Sequence, residues 1–385
     1  MKLSPFQFGT TVSTRSFTNR EKEIQKLTAN LLQGINTTLI SPRRWGKTSL
    51  VEKVIFEISK REKKTKTVLI DLFTTHTEET FLEIFTREVI KASTPKWEEW
   101  MKMGGNFFKR LVPRLSVGVD PNTDFKVSFD WKELKLHSDE VLNLPEKIAK
   151  SRGIRIIICL DEFQNIVTYP DYPAFEKKMR AVWQRQKLVT YCIFGSKSQM
   201  MRDIFNDSSK PFYRFGDIMS LPKIETESWV KFIRQSFRDS GKQIDKEIAL
   251  LIPKLMQNHS WYVQQLSHYV WVRTIRKVTR QELEKAFNEL IQANTPLYQN
   301  QLENISKTQM NLLKVVGSGK QRFTSKQVMD DYQLGTPRNV IKNKNALLRS
   351  DLLIEIEGKI FFGDPAFEFW FMYHFLNKPY PDFKI

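Results

Sequence analysis

Two rhythms of apolar and polar residues alternate along the first half of the chain. Glu21 to Leu32 places Ile24, Leu27, Leu31 and Leu32 at helical spacing. Thr37-Thr38-Leu39-Ile40 then reads as a short strand, Thr48 to Ser59 as a helix, Thr67 to Leu72 as a strand and Phe81 to Ala92 as a helix. Ile154 to Leu160 and Leu188 to Phe194 are nearly continuous apolar runs, the pattern of strands buried on both faces. Strands alternating with helices predict an α/β fold: a parallel sheet covered on both sides.

Residues 93–137 break the rhythm. Pro95, Gly104, Gly105, Pro113, Gly118 and Pro121 precede the alternating Phe125, Val127, Phe129 and Trp131, which reads as an insertion able to form a hairpin. From about Glu225 to Leu290 the spacing is helical throughout. Beyond 300 it changes again. Ser306 to Val316 forms a helix that Gly317-Ser318-Gly319 stops. A second helix starts at Thr324-Ser325 and a third at Thr336-Pro337, with proline in its first turn. Leu353 to Ile356 and Ile360 to Phe362, joined through Gly358, form two short strands. Three helices and a two-stranded wing predict a winged helix.

Composition removes several classes. Of 385 residues 41% are hydrophobic, with 28 Phe and 9 Trp, so the chain has the aromatic content of a folded core. Two cysteines rule out a disulfide framework and a zinc ribbon. The five histidines never cluster with Cys or acids, which argues against a His-based metalloenzyme. No apolar run approaches the roughly 20 residues that span a bilayer, and the N-terminus lacks the apolar stretch of a signal peptide. A cytoplasmic setting without membrane partners is expected. The net charge of +18 favours polyanionic partners. It is spread along the chain, and 301–350 stands out with nine basic and three acidic residues.

The chemistry concentrates in Ser41-Pro42-Arg43-Arg44-Trp45-Gly46-Lys47-Thr48-Ser49, which follows a strand and opens a helix. That is the context of a phosphate-binding P-loop, with Ser41 where the pattern G-x-x-x-x-G-K-[ST] has glycine. Backbone N–H groups and a helix N-terminus create an anion site. Gly46 permits close backbone approach, Lys47 would hold β and γ phosphates, and Thr48 would ligate Mg²⁺. The apolar strand ending in Asp161-Glu162 supplies the second element. Asp161 would hold the Mg²⁺ water shell, and Glu162 would activate the attacking water. A third strand ends in Phe194-Gly195-Ser196, which puts Ser196 beside the γ-phosphate as a sensor. Arg214, in Pro211-Phe212-Tyr213-Arg214-Phe215, could reach a phosphate in its own or a neighbouring subunit. The third C-terminal helix offers Arg338, Asn339, Lys342, Asn343 and Lys344, the residue types that meet DNA phosphates and base edges. A solvated basic face or a protein-contact module would look the same.

Together with Phe17-Thr18-Asn19-Arg20-Glu21-Lys22-Glu23-Ile24, His259-Ser260-Trp261-Tyr262-Val263-Gln264-Gln265-Leu266 and Asp364-Pro365-Ala366-Phe367-Glu368-Phe369-Trp370-Phe371, these motifs resemble the archaeal-type P-loop ATPases of the STAND branch of the AAA+ group. The resemblance implies an ATPase core over 1–222 (with 93–137 inserted), a helical lid over 223–297 and a winged helix over 298–385. It places Asn19, Arg20 and Glu21 near the adenine edge and the His259 region in the lid, although Ser260 stands where the family often has proline. From packing alone, Trp261, Val263 and Leu266 read equally as core residues. Two functions follow. One is an ATP- and Mg²⁺-driven switch coupled to double-stranded DNA through the winged helix. The other is a signalling or defence scaffold whose nucleotide state controls homo-oligomerisation or a protein partner, with 93–137 as the partner surface. A kinase is disfavoured by the Asp161-Glu162 pair and by the lack of a second acceptor motif.

Overall fold

The computed structural model describes residues 3–9, 19–93, 114–116, 126–128, 137–381 and 383. Phe17 and Thr18, and most of 93–137, lie outside them. The chain divides into two compact units. The first comprises Glu21–Ser41 and Leu50–Leu221. Here α1 (Glu21–Leu32), β1 (Thr37–Ile40), α2 (Lys47–Arg61, in this unit from Leu50 onward), β2 (Thr65–Asp71) and α3 (Glu78–Ser93) follow the alternation read from the sequence. The hairpin expected in the insertion is present as β3 (Arg114–Ser116) antiparallel to β4 (Lys126–Ser128). Then come α4 (Ser138–Leu142), α5 (Leu144–Arg152), β5 (Arg155–Asp161), a 3₁₀ turn (Phe163–Thr168), α6 (Tyr172–Trp183), β6 (Val189–Gly195), α7 (Ser198–Phe205) and β7 (Asp217–Ser220).

The five-stranded sheet has the order β2-β5-β6-β1-β7 and is parallel throughout. Its central strands are apolar because both faces are covered, and every residue of β6 is buried. Trp183 stacks on Tyr191 of β6 at 4.2 Å, among Phe85, Phe163, Phe212 and Phe215. β7 was not legible in the sequence. It has one buried residue, Met219, with Ile218 exposed at the sheet edge. Its backbone ladder to β1 makes it a strand.

The second unit comprises Met1–Arg20, Pro42–Ser49 and Pro222–Ile385. Its helices are α8 (Thr226–Asp239), α9 (Lys246–Leu255), α10 (Ser260–Arg273), α11 (Arg280–Glu303), α12 (Lys307–Gly317), α13 (Lys326–Asp331) and α14 (Pro337–Arg349). The antiparallel pair β8 (Leu353–Ile356) and β9 (Lys359–Phe362) and the helix α15 (Pro365–Leu376) close it. The C-terminal order of three helices and a hairpin is the order expected from the sequence. Local chemistry sets the ends. Thr279 and Ser306 form capping boxes with Glu282 and Gln309, and Thr336 caps α14 ahead of Pro337.

One apolar core runs through this unit, from Ile224 to Phe371. α11 passes unbroken through the 297/298 boundary and buries side chains on both sides of it. Phe287 packs edge-on against Phe369, and Tyr298 against Phe367. At the N-terminus Phe6 packs on Phe232 and Phe237, and Phe8 meets Trp261. Among the described residues no helix is long and apolar enough to cross a membrane.

Candidate functional site

β1 delivers the chain to Ser41, which is buried, and α2 begins at Lys47. The loop between them reverses direction through two left-handed residues, Arg44 (φ 63°) and Gly46 (φ 90°). Gly46 takes its angle without a Cβ penalty, whereas Arg44 costs about 1 kcal/mol and must be held by its surroundings. Lys47 is buried, and its Nζ donates to the Pro42 carbonyl at 2.8 Å, folding the side chain back over the loop. Thr48 and Ser49 follow in the first turn of α2. That turn carries no acidic residue, and a helix N-terminus of this kind favours an anion.

The expected adenine-edge residues are placed beside this loop. Arg20 is buried and donates to the carbonyls of Pro222 (2.6 Å) and Trp45 (3.4 Å). Asn19 donates to Ser228 (3.1 Å) and accepts from the Arg20 N–H (2.8 Å). Both have left-handed backbones. Trp45, Pro42 and Arg43 complete the loop, with the Lys223 ammonium 5.6 Å from the Trp45 ring centre. Glu21 opens α1.

The acidic pair closes β5 at the carboxyl edge of the sheet. Asp161 Oδ1 accepts from the Glu162 N–H at 2.8 Å, and Glu162 turns the chain with φ 52°. Its carboxylate Oε2 accepts from the Ser196 hydroxyl at 2.8 Å, from the Ser196 N–H at 3.5 Å and from the Gln164 amide. Two sequence-derived site residues, Glu162 and Ser196, are thus in direct contact. β6 lies between β5 and β1, and its Gly195 is the register partner of Ile40, so Ser196 and Ser41 leave adjacent strands at the same edge. Parallel sheets bind ligands at this edge.

Gln164 was missed from the sequence. It is buried, two residues after Glu162 in the first turn beyond an apolar strand, and that spacing was the available signal. Gly195 is its counterpart: a Cβ there would lie 1.9 Å from Gln164 Oε1 and 3.0 Å from Met201 Sδ. Arg214 is exposed, with φ 50°, and its guanidinium lies 5.2 Å from the Tyr213 ring centre. On α14, Arg338, Asn339 and Lys342 are exposed, while Asn343 and Lys344 are partly covered and Asn343 donates to the Asn339 carbonyl at 2.9 Å.

The 259–266 segment packs into the core of the second unit. Val263 and Leu266 are fully buried core, and Trp261, partly exposed, packs against that core and carries the Arg44 guanidinium 4.7 Å above its ring. Ser260 is the first residue of α10, a position where proline also fits. Burial, reinforced by Lys223 and Arg44, pulls the His259 imidazole down to about 3. The unfolded chain therefore takes up a proton below pH ~6.5 that folded His259 refuses. Stability should fall as pH drops from about 6.5 toward 3, by about 1.4 kcal/mol per unit at most from this group. His259→Gln should flatten that part of the curve in denaturant melts. An unchanged slope would mean that the folded chain protonates His259.

No family model matches the chain, and no curated protein matches its sequence. Solved structures do match its fold. A Walker-type ATPase of Pyrococcus abyssi, PABY2304, superposes with a TM-score of 0.65 at 17% identity, covering 94% of this chain and 98% of its own. The ORC2 protein of Aeropyrum pernix, in its ADPNP–ADP complexes, superposes at 0.56 with 12% identity, covering 94% of both chains. Together with the sheet order, these likenesses establish an α/β fold built on a five-stranded parallel sheet, the fold of these two solved structures.

Proposed function

We propose that the chain is a Mg²⁺-dependent ATPase that works as a nucleotide-driven switch. The observation that carries this reading is the contact between Glu162 and Ser196 at the carboxyl edge, on strands neighbouring the one that feeds the loop. Lys47 and the first turn of α2 bind the phosphates. Glu162 takes a proton from the attacking water, Ser196 and Gln164 orient its carboxylate, and Arg214 serves a phosphate in cis or in trans. Asn19 and Arg20 shape the adenine edge. The hydroxyl of Thr48 and the carboxylate of Asp161 are hard oxygen donors, and a site of this kind takes Mg²⁺ through one or two protein ligands plus phosphates and water. When bound, Mg²⁺ neutralises charge on the phosphates. Residues 1–222 act as the ATPase core, 223–297 as the lid and 298–385 as a winged helix. The solved neighbours, a Walker-type ATPase and an ORC2 protein bound to ADPNP and ADP, support the nucleotide part.

The output in this reading is duplex DNA, met by the exposed face of α14. The test is a salt series of duplex binding with wild type and with Lys342→Glu/Lys344→Glu. Loss of two phosphate contacts should lower the slope of log affinity on log salt by about 2. Affinity and slope that stay unchanged would remove DNA from the function. The continuous core of the second unit favours an alternative output, in which the winged helix is an intramolecular lock and nucleotide controls self-association. DNA-independent, nucleotide-dependent oligomerisation in light scattering would select it.

A further inference from the structure

Basic residues that are scattered along the sequence gather at one edge of the parallel sheet. The segments that enter β2, β5 and β6 stand side by side. The Arg155 N–H donates to the Lys64 carbonyl at 2.9 Å, and the Ile156 N–H to the Leu188 carbonyl at 3.0 Å. Buried Glu146 ties the second segment to the third: it accepts from the N–H groups of Lys187 (3.2 Å) and Leu188 (2.9 Å) and pairs with Lys150 at 3.3 Å. Residues 60–66 hold five basic side chains and one acid, 150–155 hold three basic side chains, and 185–187 hold two. Ten basic residues against one acid contrasts with 61 against 43 across the chain, so this edge is not a sample of the average surface. Three of the ten serve the framework: Lys150 through Glu146, Arg152 through the Ser93 carbonyl and Arg155 through the Leu32 carbonyl. Arg61, Lys63, Lys64, Arg185 and Lys187 are exposed, and no ion pair among the described residues engages them.

Like charges crowded on three adjoining segments repel one another, and a polyanion relieves that repulsion. The residue types choose among polyanions. Protein interfaces are depleted of Lys and centred on aromatic anchors, membrane-surface binding joins basic residues to apolar ones, and single-strand binders stack bases on aromatic rings. Residues 60–64 and 185–187 contain no apolar or aromatic side chain. We propose that this amino edge of the sheet is a binding surface for the phosphate backbone of a nucleic acid duplex, held by Arg61, Lys63, Lys64, Arg185 and Lys187. Gln186, the residue among them able to read a base edge, is already engaged. Its amide donates to the Leu142 carbonyl at 3.0 Å, and its Oε1 accepts from the Tyr191 hydroxyl at 2.7 Å. Binding here is therefore independent of sequence. The surface belongs to the first unit and α14 to the second, so it is a contact separate from the one proposed for α14. It is also apart from the acidic pair, because β5 puts about 20 Å between Arg155 and Asp161.

The test is a salt series of duplex binding by fluorescence anisotropy. It compares wild type, Lys63→Glu/Lys64→Glu/Arg185→Glu/Lys187→Glu and the Lys342→Glu/Lys344→Glu variant. Loss of four phosphate contacts should lower the slope of log affinity on log salt by roughly 3.5, and by as much again when the α14 pair is already reversed. Two duplexes of scrambled sequence should bind alike. DNA and RNA duplexes of one length are run in parallel, and the duplex whose slope falls names the nucleic acid. A slope unchanged with both overturns the proposal, even where the α14 variant loses its own contacts. A fall at the edge with no effect of the α14 pair upholds it and removes only the α14 reading. Phosphatidylserine vesicles that bind wild type and release the variant, with both duplex slopes unchanged, would reassign the edge to a membrane surface and overturn the proposal. Glutamine at the same four positions gives a second variant should the charge reversal fold poorly, with the same fall in slope expected. Melting curves of both variants check the fold.

Discussion

Lys47→Ala should abolish nucleotide binding at working concentrations. The ammonium folds back over the loop and donates to the Pro42 carbonyl. A hydrogen bond to a charged group contributes about 3 kcal/mol at the upper end, so affinity should fall roughly a hundredfold. Calorimetric titration of ATP into wild type and variant measures this directly. A melting curve without nucleotide serves as the control, because the loss should be one of ligand affinity and not of fold. Binding retained within a factor of a few would mean that the first turn of α2 does not cradle phosphate.

Glu162→Gln should separate binding from chemistry. Its amide can keep the contact with Ser196 but cannot accept a proton, and general-base catalysis contributes roughly 10²–10⁴-fold. Turnover should drop by that order while ATP affinity stays near wild type. A parallel fall in both would recast Glu162 as a structural anchor of β6. Gly195→Ala probes the same carboxylate from behind. Its methyl must displace Gln164, which donates to Glu162, and overpacking of this kind costs about 1–3 kcal/mol of stability. Turnover should fall beyond what that destabilisation explains at low temperature.

The loop and the acidic strand end were legible because each is local: a strand, a short polar signature and a helix, all contiguous in sequence. The apolar runs ending at Leu160 and Phe194 announced buried parallel strands for the same reason. What escaped depended on distant partners. β7 has one buried side chain and exists through its ladder to β1, so no periodicity announced it. Gln164 looks like any polar turn residue until the left-handed turn at Glu162 folds its amide back onto the carboxylate. Pro296 sits on the exposed side of α11, which continues to Glu303. The acid beside Arg43, Asp351, lies some 300 residues away, and charge alone does not disclose such a pairing.

The unbroken course of α11 has a mechanical consequence. Its 24 residues make a rod about 36 Å long at ~1.5 Å per residue, so a tilt of about 10° at one end displaces the other by roughly 6 Å. Aromatic packing against α15 grips the rod on both sides of Pro296, through Phe287 and Tyr298. A tilt of that size carries the far end of such a lever through about one helical turn.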